Sequence, residues 1–188
     1  MRLGIFGGSF DPPHLGHLLP IIDAAESLGL DAVRFVPAGV QPLKVGRAVA
    51  APRHRLAMTE RLIARIPAFS VESAEIDRAG LSFTVDTLAT LAQTGADELV
   101  LVIGADAFAQ FAQWKEPERI RSLAQIAVLV RGEERGPDAA SSGVRLLQTR
   151  RVDISSTELR ARIAGGRTIR GFVPDAVADY IAEHRLYK

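Results

Sequence analysis

The chain is predicted to fold as an α/β protein, a doubly wound parallel sheet with helices on both faces and a small helical part at its C-terminal end. Three observations predict it. Short apolar runs alternate with longer amphipathic ones, the pattern of βαβ units. The run at 99–103 is apolar at every position, as a central strand covered on both faces requires. The residues suited to holding a ligand (Gly7-Gly8-Ser9, 37–44, Gly104 to Asp106, Arg131) all follow predicted strands, where open α/β sheets bind their ligands.

The elements follow in order. Residues 2–6 read as the first strand. Residues 15–28 read as a helix, with Leu18, Ile21, Ile22, Ala25 and Leu28 on one face and Gly29 as its stop. Residues 32–36 form a second strand ended by Pro37, and 38–51 a loop rich in Gly, Pro and Ala that holds Lys44 and Arg47. A helix is predicted over 53–66 and a strand over 69–76, followed by a turn at 77–80. A helix over 84–93 is closed by Gly95. The central strand at 99–103 precedes a Gly-Ala-Asp corner. Pro117 suits the first turn of a helix over 116–123. Residues 126–130 are a core strand, 132–143 a surface loop without periodicity, and 144–147 a short last strand. Helices over 157–164 and 175–184 make the C-terminal part, about 154–188, of a single domain.

The bulk numbers narrow the function. The 188 residues carry 23 Lys and Arg against 22 Asp and Glu, a net charge of +1, which argues against a broad nucleic-acid or membrane-binding surface. Cysteine is absent, which excludes disulfides, thiolate zinc sites and cysteine nucleophiles. No apolar run approaches the roughly 18 residues of a membrane span, and the glycine turn comes too early for a signal-peptide core. The expectation is a soluble cytoplasmic enzyme or binding domain.

The stretch MRLGIFGGSFDPPHLGHL is the most informative. Two glycines let backbone come close to a ligand, and a helix N-terminus offers unpaired N–H groups and a positive dipole end to an anion. His14 and His17, three residues apart, share one helix face and can address the same phosphate chain. Gly16 inside the helix costs about 1 kcal/mol relative to alanine, which implies a close approach. The Rossmann G-x-G-x-x-G and the P-loop signature are both absent. Ser155, Ser156 and Thr157 open a capped helix whose hydroxyls and N–H groups are available to an anion, with Arg160 nearby. Asp106 fits either a helix cap or a ligand contact, and Asp11 a turn former beside Pro12. Arg53, Arg55, Arg150 and Arg151 are expected to be surface charges.

The His14-Leu15-Gly16-His17 element resembles the hallmark of the nucleotidylyltransferase superfamily, [HT]-x-G-H on a Rossmann-like sheet. GGSFDPPHLGHL as a whole resembles the bacterial nicotinate-nucleotide adenylyltransferases. PAGVQPLK at 37–44, DRAGLSFTVDTL at 77–88, IGADAFAQFAQW at 103–114, ISSTELR at 154–160 and the ending HRLY extend the likeness over nearly the whole chain. The resemblance implies adenylyl transfer from ATP to nicotinate mononucleotide, giving deamido-NAD and pyrophosphate in NAD biosynthesis. It implies an attacking phosphate oxygen that is already ionised, so catalysis is by positioning and charge stabilisation. By the same resemblance His14 and His17 are catalytic, with His17 on the α-phosphate. Gly7, Gly8, Ser9, Phe10, Gly104, Asp106, Ser155, Ser156, Thr157 and Arg160 bind ATP, and Lys44, Thr84, Trp114 and Arg131 bind the acceptor. An electron-poor pyridinium ring stacks well on an indole face, here that of the only tryptophan, Trp114. Mg²⁺ is expected to arrive with ATP and keep mostly water and phosphate ligands. No dedicated protein metal site is expected.

The chain departs from the family pattern in places. Gln41-Pro42-Leu43-Lys44 lacks a second proline and a histidine, Phe83 stands where a tyrosine is common, and Gly132-Glu133 follows Arg131 in place of Pro-Gly. Acceptors left open are nicotinamide mononucleotide and phosphopantetheine. A non-catalytic nucleotide sensor and an RNA-binding module are readings from other classes. The small-molecule substrates are ATP and nicotinate mononucleotide, with neither nucleic acid nor membrane as partner. Oligomeric state is open.

Overall fold

The computed structural model describes residues 1–40, 50–78, 80–132 and 143–188. Six strands among them form one parallel sheet: β1 (Arg2–Gly8), β2 (Ala32–Pro37), β3 (Phe69–Val71), β4 (Glu98–Gly104), β5 (Gln125–Arg131) and β6 (Arg145–Thr149). Their spatial order is β3-β2-β1-β4-β5-β6, with every neighbouring pair parallel. The order reverses between β1 and β4. That is the switch point at which this architecture opens a crevice beyond the strand ends.

Strand alternation decides which helices cover which face. Leu99, Leu101 and Ile103 of β4, with Leu3 and Ile5 of β1, pack into one core. Helices α4 (Thr84–Leu91) and α6 (Pro117–Leu123) close it through Val85, Leu88, Leu91 and Ile120. Val100 and Val102, facing the other way, join the core beneath α1 (Leu15–Leu28), α2 (Pro52–Ile63), α7 (Ser156–Ala164) and α8 (Asp175–Glu183). Burial on both faces explains why the middle strands are apolar throughout. Two short helices, α3 (Ala74–Asp77) and α5 (Ala105–Phe108), lie close to the crevice. The α/β class, the parallel sheet with helices on both faces and the helical C-terminal part are as predicted.

Helix α1 has the expected bounds because its signals agree. His14 takes the extended N-cap conformation, and Gly29 the left-handed one (φ 61°), its N–H reaching the carbonyls of Ala25 and Glu26. Two expectations need correction. The strand predicted over 69–76 stops at Val71, and 74–77 is helical. The Glu72 carboxylate accepts the Ala74 N–H at 3.1 Å and Ser73 Oγ donates to Asp77 at 2.6 Å. These local side-chain bonds compete with the sheet ladder. The helix predicted over 53–66 ends at Ile63, beyond which the chain tightens into a turn closed by the Ile66 N–H on the Ile63 carbonyl ahead of Pro67. Most of the loop predicted over 38–51, and of that over 132–143, lies outside the described residues.

Candidate active site

At the carboxyl end of β1 the chain turns through Gly8, Ser9 and Phe10 into His14. Phe10 has a left-handed backbone (φ 50°), unusual for a side chain of its size. Its buried ring packs edge-on to Phe6 and to His17, at centroid distances of 5.7 and 5.2 Å. A Cβ on Gly8 would stand 2.9 Å from that ring. The missing side chain at Gly8 therefore makes room for Phe10. Gly7 is more open, its nearest neighbour being the Val36 carbonyl at 3.9 Å.

The two imidazoles lie together, ring centres 3.8 Å apart. The His14 backbone N–H donates to Nδ1 of His17 at 3.3 Å. An accepting Nδ1 leaves the ring proton of the neutral imidazole on Nε2. His17, half-buried at the third position of α1, thus has a backbone-set tautomer with a donor at its far end. His14 is buried. A Cβ on Gly16 would come within 2.9 Å of His14 Nδ1 and 3.2 Å of the Ile154 carbonyl. The close approach implied by Gly16 is made by the protein itself.

Helix α7 docks on this corner. Ser156 Oγ donates to the Pro12 carbonyl at 2.8 Å, and Arg160 Nη1 to the Asp11 carbonyl at 2.7 Å. Arg160 Nη2 also reaches Thr157 Oγ1 at 3.2 Å, while Ser155 Oγ caps the helix by accepting the Glu158 N–H. Asp11 is more than a turn former. Its buried carboxylate accepts from the Ala50 N–H at 3.1 Å and from the Tyr187 hydroxyl at 2.7 Å. Burial and that carboxylate push the Tyr187 hydroxyl pKa upward, so the phenol keeps its proton.

The largest error in the sequence reading is Arg55. Expected on the surface, it is 1 % exposed. Nε donates to the Ala50 carbonyl at 3.2 Å, Nη1 to Ser9 at 2.8 Å and Nη2 to Gly39 at 3.0 Å. Its planar fork serves three segments at once, which no lysine can do. Arg53, Arg150 and Arg151 are exposed as expected, the last two paired with Asp23 and Asp153.

A cavity of about 260 Å³ opens at the switch point between β1 and β4. Among the residues predicted to bind, Gly7, Gly8, Thr84, Gly104, Asp106 and Trp114 line it. Trp114 is half-buried and leans on Phe111, ring centres 5.5 Å apart. Thr84 is the first residue of α4, and Phe83 holds the cap position. Gly104 is the N-cap of α5, and the exposed Asp106 folds its carboxylate back over it. A Cβ at Gly104 would meet Asp106 Oδ1 at 2.6 Å. Arg131 ends β5, in register with Thr149; its side chain lies outside the described residues, as does Lys44.

Comparisons with known proteins place the chain in a family. A cytidylyltransferase-like family model matches residues 5–162. A protein of Gemmatimonas aurantiaca named probable nicotinate-nucleotide adenylyltransferase is 47% identical over 197 residues, covering 100% of this chain and 93% of that one. The protein of the same name from Thermus thermophilus is 44% identical over 189 residues, with full coverage of both chains. The chain belongs to the nicotinate-nucleotide adenylyltransferase family. Among solved structures, the Plasmodium falciparum nicotinic acid mononucleotide adenylyltransferase complexed with NaAD superposes with a TM-score of 0.78 at 18% identity. That match covers 99% of this chain and 97% of that one, and it supports the fold.

Two further residues of this adenylyltransferase cavity escaped the sequence reading. Glu75, in the segment read as a strand, is buried on the cavity wall and accepts from Thr87 Oγ1 at 2.7 Å. Burial pushes its carboxyl pKa up, and the Thr87 bond opposes that in part. Lys115 also lines the cavity, its ammonium 3.2 Å from both oxygens of Asp86. Adjacency to Trp114 was the available signal for Lys115. For Arg55 it was spacing, since position 55 shares a helix stripe with the buried Met58, Thr59 and Leu62.

Proposed function

We propose that the protein transfers the adenylyl group of ATP to nicotinate mononucleotide, forming deamido-NAD and releasing pyrophosphate, a step of NAD biosynthesis. The observation that carries this reading is the juxtaposition at Gly7-Gly8 of a donor-rich corner and a cavity holding Trp114 and Thr84. A phosphate oxygen of the mononucleotide attacks the α-phosphorus of ATP, and the bond to the bridging oxygen of pyrophosphate breaks. The nucleophile is ionised at neutral pH, so no base is required and the site acts by positioning and charge stabilisation.

In this reading the Nε2–H of His17 donates to the α-phosphate oxygens that gain charge. His14 and the backbone of Gly7 to Phe10 hold the neighbouring phosphates. Ser155, Ser156, Thr157 and Arg160 stabilise the departing pyrophosphate, and Gly104 and Asp106 take the adenosine and its ribose. Trp114 and Thr84 receive the pyridine ring and its carboxylate, with Lys44 and Arg131 reaching phosphate. Mg²⁺ enters as part of the substrate. The corner offers imidazole, hydroxyl and guanidinium groups, while the Asp11 carboxylate is held by its own chain. That donor set suits an ion keeping phosphate and water ligands. Among the described residues no group of three or more His, Cys, Asp or Glu side chains could hold a metal. The partners in this reading are small molecules, the compartment is the cytoplasm, and no helix among the described residues is long and apolar enough to cross a membrane.

Pyrophosphate release tests the reading, with ATP and nicotinate mononucleotide as substrates and phosphopantetheine as the rival acceptor. The mononucleotide is expected to be used. Activity with phosphopantetheine alone would overturn the assignment. His17→Ala is expected to lower kcat by a factor of about 100 or more in a protein that stays folded. A kcat within about threefold of wild type would remove His17 from the reacting centre.

A further inference from the structure

One cation on the cavity wall has no part in the roles above. The ammonium of Lys115 lies 4.7 Å from the centre of the Phe83 ring and 3.2 Å from each oxygen of Asp86. Phe83 is the N-cap of α4, Thr84 its first residue and Asp86 in its first turn. The ammonium therefore stands over the end of α4 that carries Thr84, next in sequence to Trp114. Its side chain is 40% exposed and that of Asp86 35%, so the pair adds little to stability. Holding the fold together is not an adequate reason for a lysine here.

The local charges suggest a better one. Asp86 has a second cation, Arg78, whose Nη1 lies 3.9 Å from Oδ2. Two cations share one carboxylate. The ammonium has three donors, so it can keep Asp86 and take another acceptor, and Asp86 retains Arg78 if Lys115 turns away. The other acid on this side of the cavity, Glu75, is turned to Thr87, and burial favours its neutral form. Backbone N–H groups at the start of α4 donate equally well to a carboxylate and to an amide carbonyl; a net charge tells them apart.

Resting on the proposed transferase reading, we propose that Lys115 is a specificity residue that favours an acceptor bearing a ring carboxylate over its carboxamide counterpart. It acts on binding of the acceptor and takes no part in the phosphoryl chemistry.

The test is pyrophosphate release by the full-length protein with ATP and either nicotinate or nicotinamide mononucleotide, for wild type, Lys115→Met and Lys115→Arg. Lys115→Met is expected to lower the acid-to-amide ratio of kcat/KM about tenfold. The loss should appear as a raised KM for the acid, with the amide changed by less than about twofold. Lys115→Arg, which keeps the charge, is expected to retain most of the ratio. An unchanged ratio in Lys115→Met, or an equal loss on both acceptors, would overturn the proposal while the transferase reading stands. Wild-type protein that uses neither mononucleotide would sink both.

Discussion

Replacing Arg55 with methionine should destabilise the protein sharply although the residue touches no surface. The guanidinium is 1 % exposed and donates three hydrogen bonds, to the carbonyls of Ser9, Gly39 and Ala50. Burial lowers its pKa and Asp11 raises it again, but an arginine remains charged in this setting. A buried carbonyl that loses its donor, as that of Ala50 would, costs about 1–3 kcal/mol, and the half-buried ones of Ser9 and Gly39 cost less. Removing one member of a buried charged network costs about 3–5 kcal/mol in total, and methionine recovers part of the apolar contact. A net loss of about 3 kcal/mol corresponds, for a chain of this size, to a Tm lower by roughly 6–12 °C. Calorimetry would measure it, with activity assayed well below the variant's transition. Because Ser9 leads into the histidine corner and Gly39 borders the cavity wall, KM for both ATP and acceptor should rise. Arg55→Lys keeps the charge but cannot span three carbonyls, so it should fall between. A Tm within about 3 °C of wild type for Arg55→Met would refute the idea that this side chain holds the two subsites together.

Two other substitutions test the buried acids. The folded-state pKa of Glu75 is raised above its ordinary 4.5, so its contribution to stability is fully present below that value and is lost as pH rises through the raised one. Glu75→Gln, neutral throughout, should therefore gain Tm relative to wild type between pH 4 and pH 8; a difference independent of pH would contradict this. Tyr187→Phe leaves the Asp11 carboxylate without its 2.7 Å hydroxyl donor, at about 1–2 kcal/mol. It should lower kcat several-fold with little change in acceptor KM, as the segment before His14 loosens, and wild-type Tm and kcat together would rule that out.

How much of this was legible in the sequence depended on whether the deciding partner was near in the chain. The bounds of α1 could be read because cap, periodicity and terminating glycine all lie within residues 14–29. The motif at 7–17 predicted two neighbouring imidazoles at a helix start, as the structure has them, but not the use of its glycines. Gly8 makes room for Phe10 and Gly16 for His14, since both neighbours fold back over the turn. The segment 69–76 alternates like a strand, yet Glu75 finds its partner in Thr87, on a different helix. Arg55 looked solvated because charge outweighed spacing. Its acceptors, Ser9 and Gly39, lie 46 and 16 residues away, and nothing local announces them. Asp11 likewise depends on Tyr187, at the opposite end of the chain.

The arrangement of acids explains how a site for two anionic substrates can exist in a chain of nearly balanced charge. Asp11, at the histidine corner, has its carboxylate held by the Ala50 N–H and the Tyr187 hydroxyl. Glu75, on the cavity wall, is turned to Thr87 and driven toward its neutral form. Asp86 is shared by Lys115 and Arg78. Asp106, on the rim, is exposed and suits hydroxyls better than phosphates. The donors, by contrast, are held at fixed orientation: His17 by a backbone N–H, and Arg160 by a carbonyl and a hydroxyl of its own chain. Preorganised donors need no reorientation as charge moves from one phosphate oxygen to another. A reaction whose nucleophile is already ionised needs little more from a protein than that. The bonds of the buried Arg55 to Ser9 and Gly39 tie the histidine corner to the cavity wall.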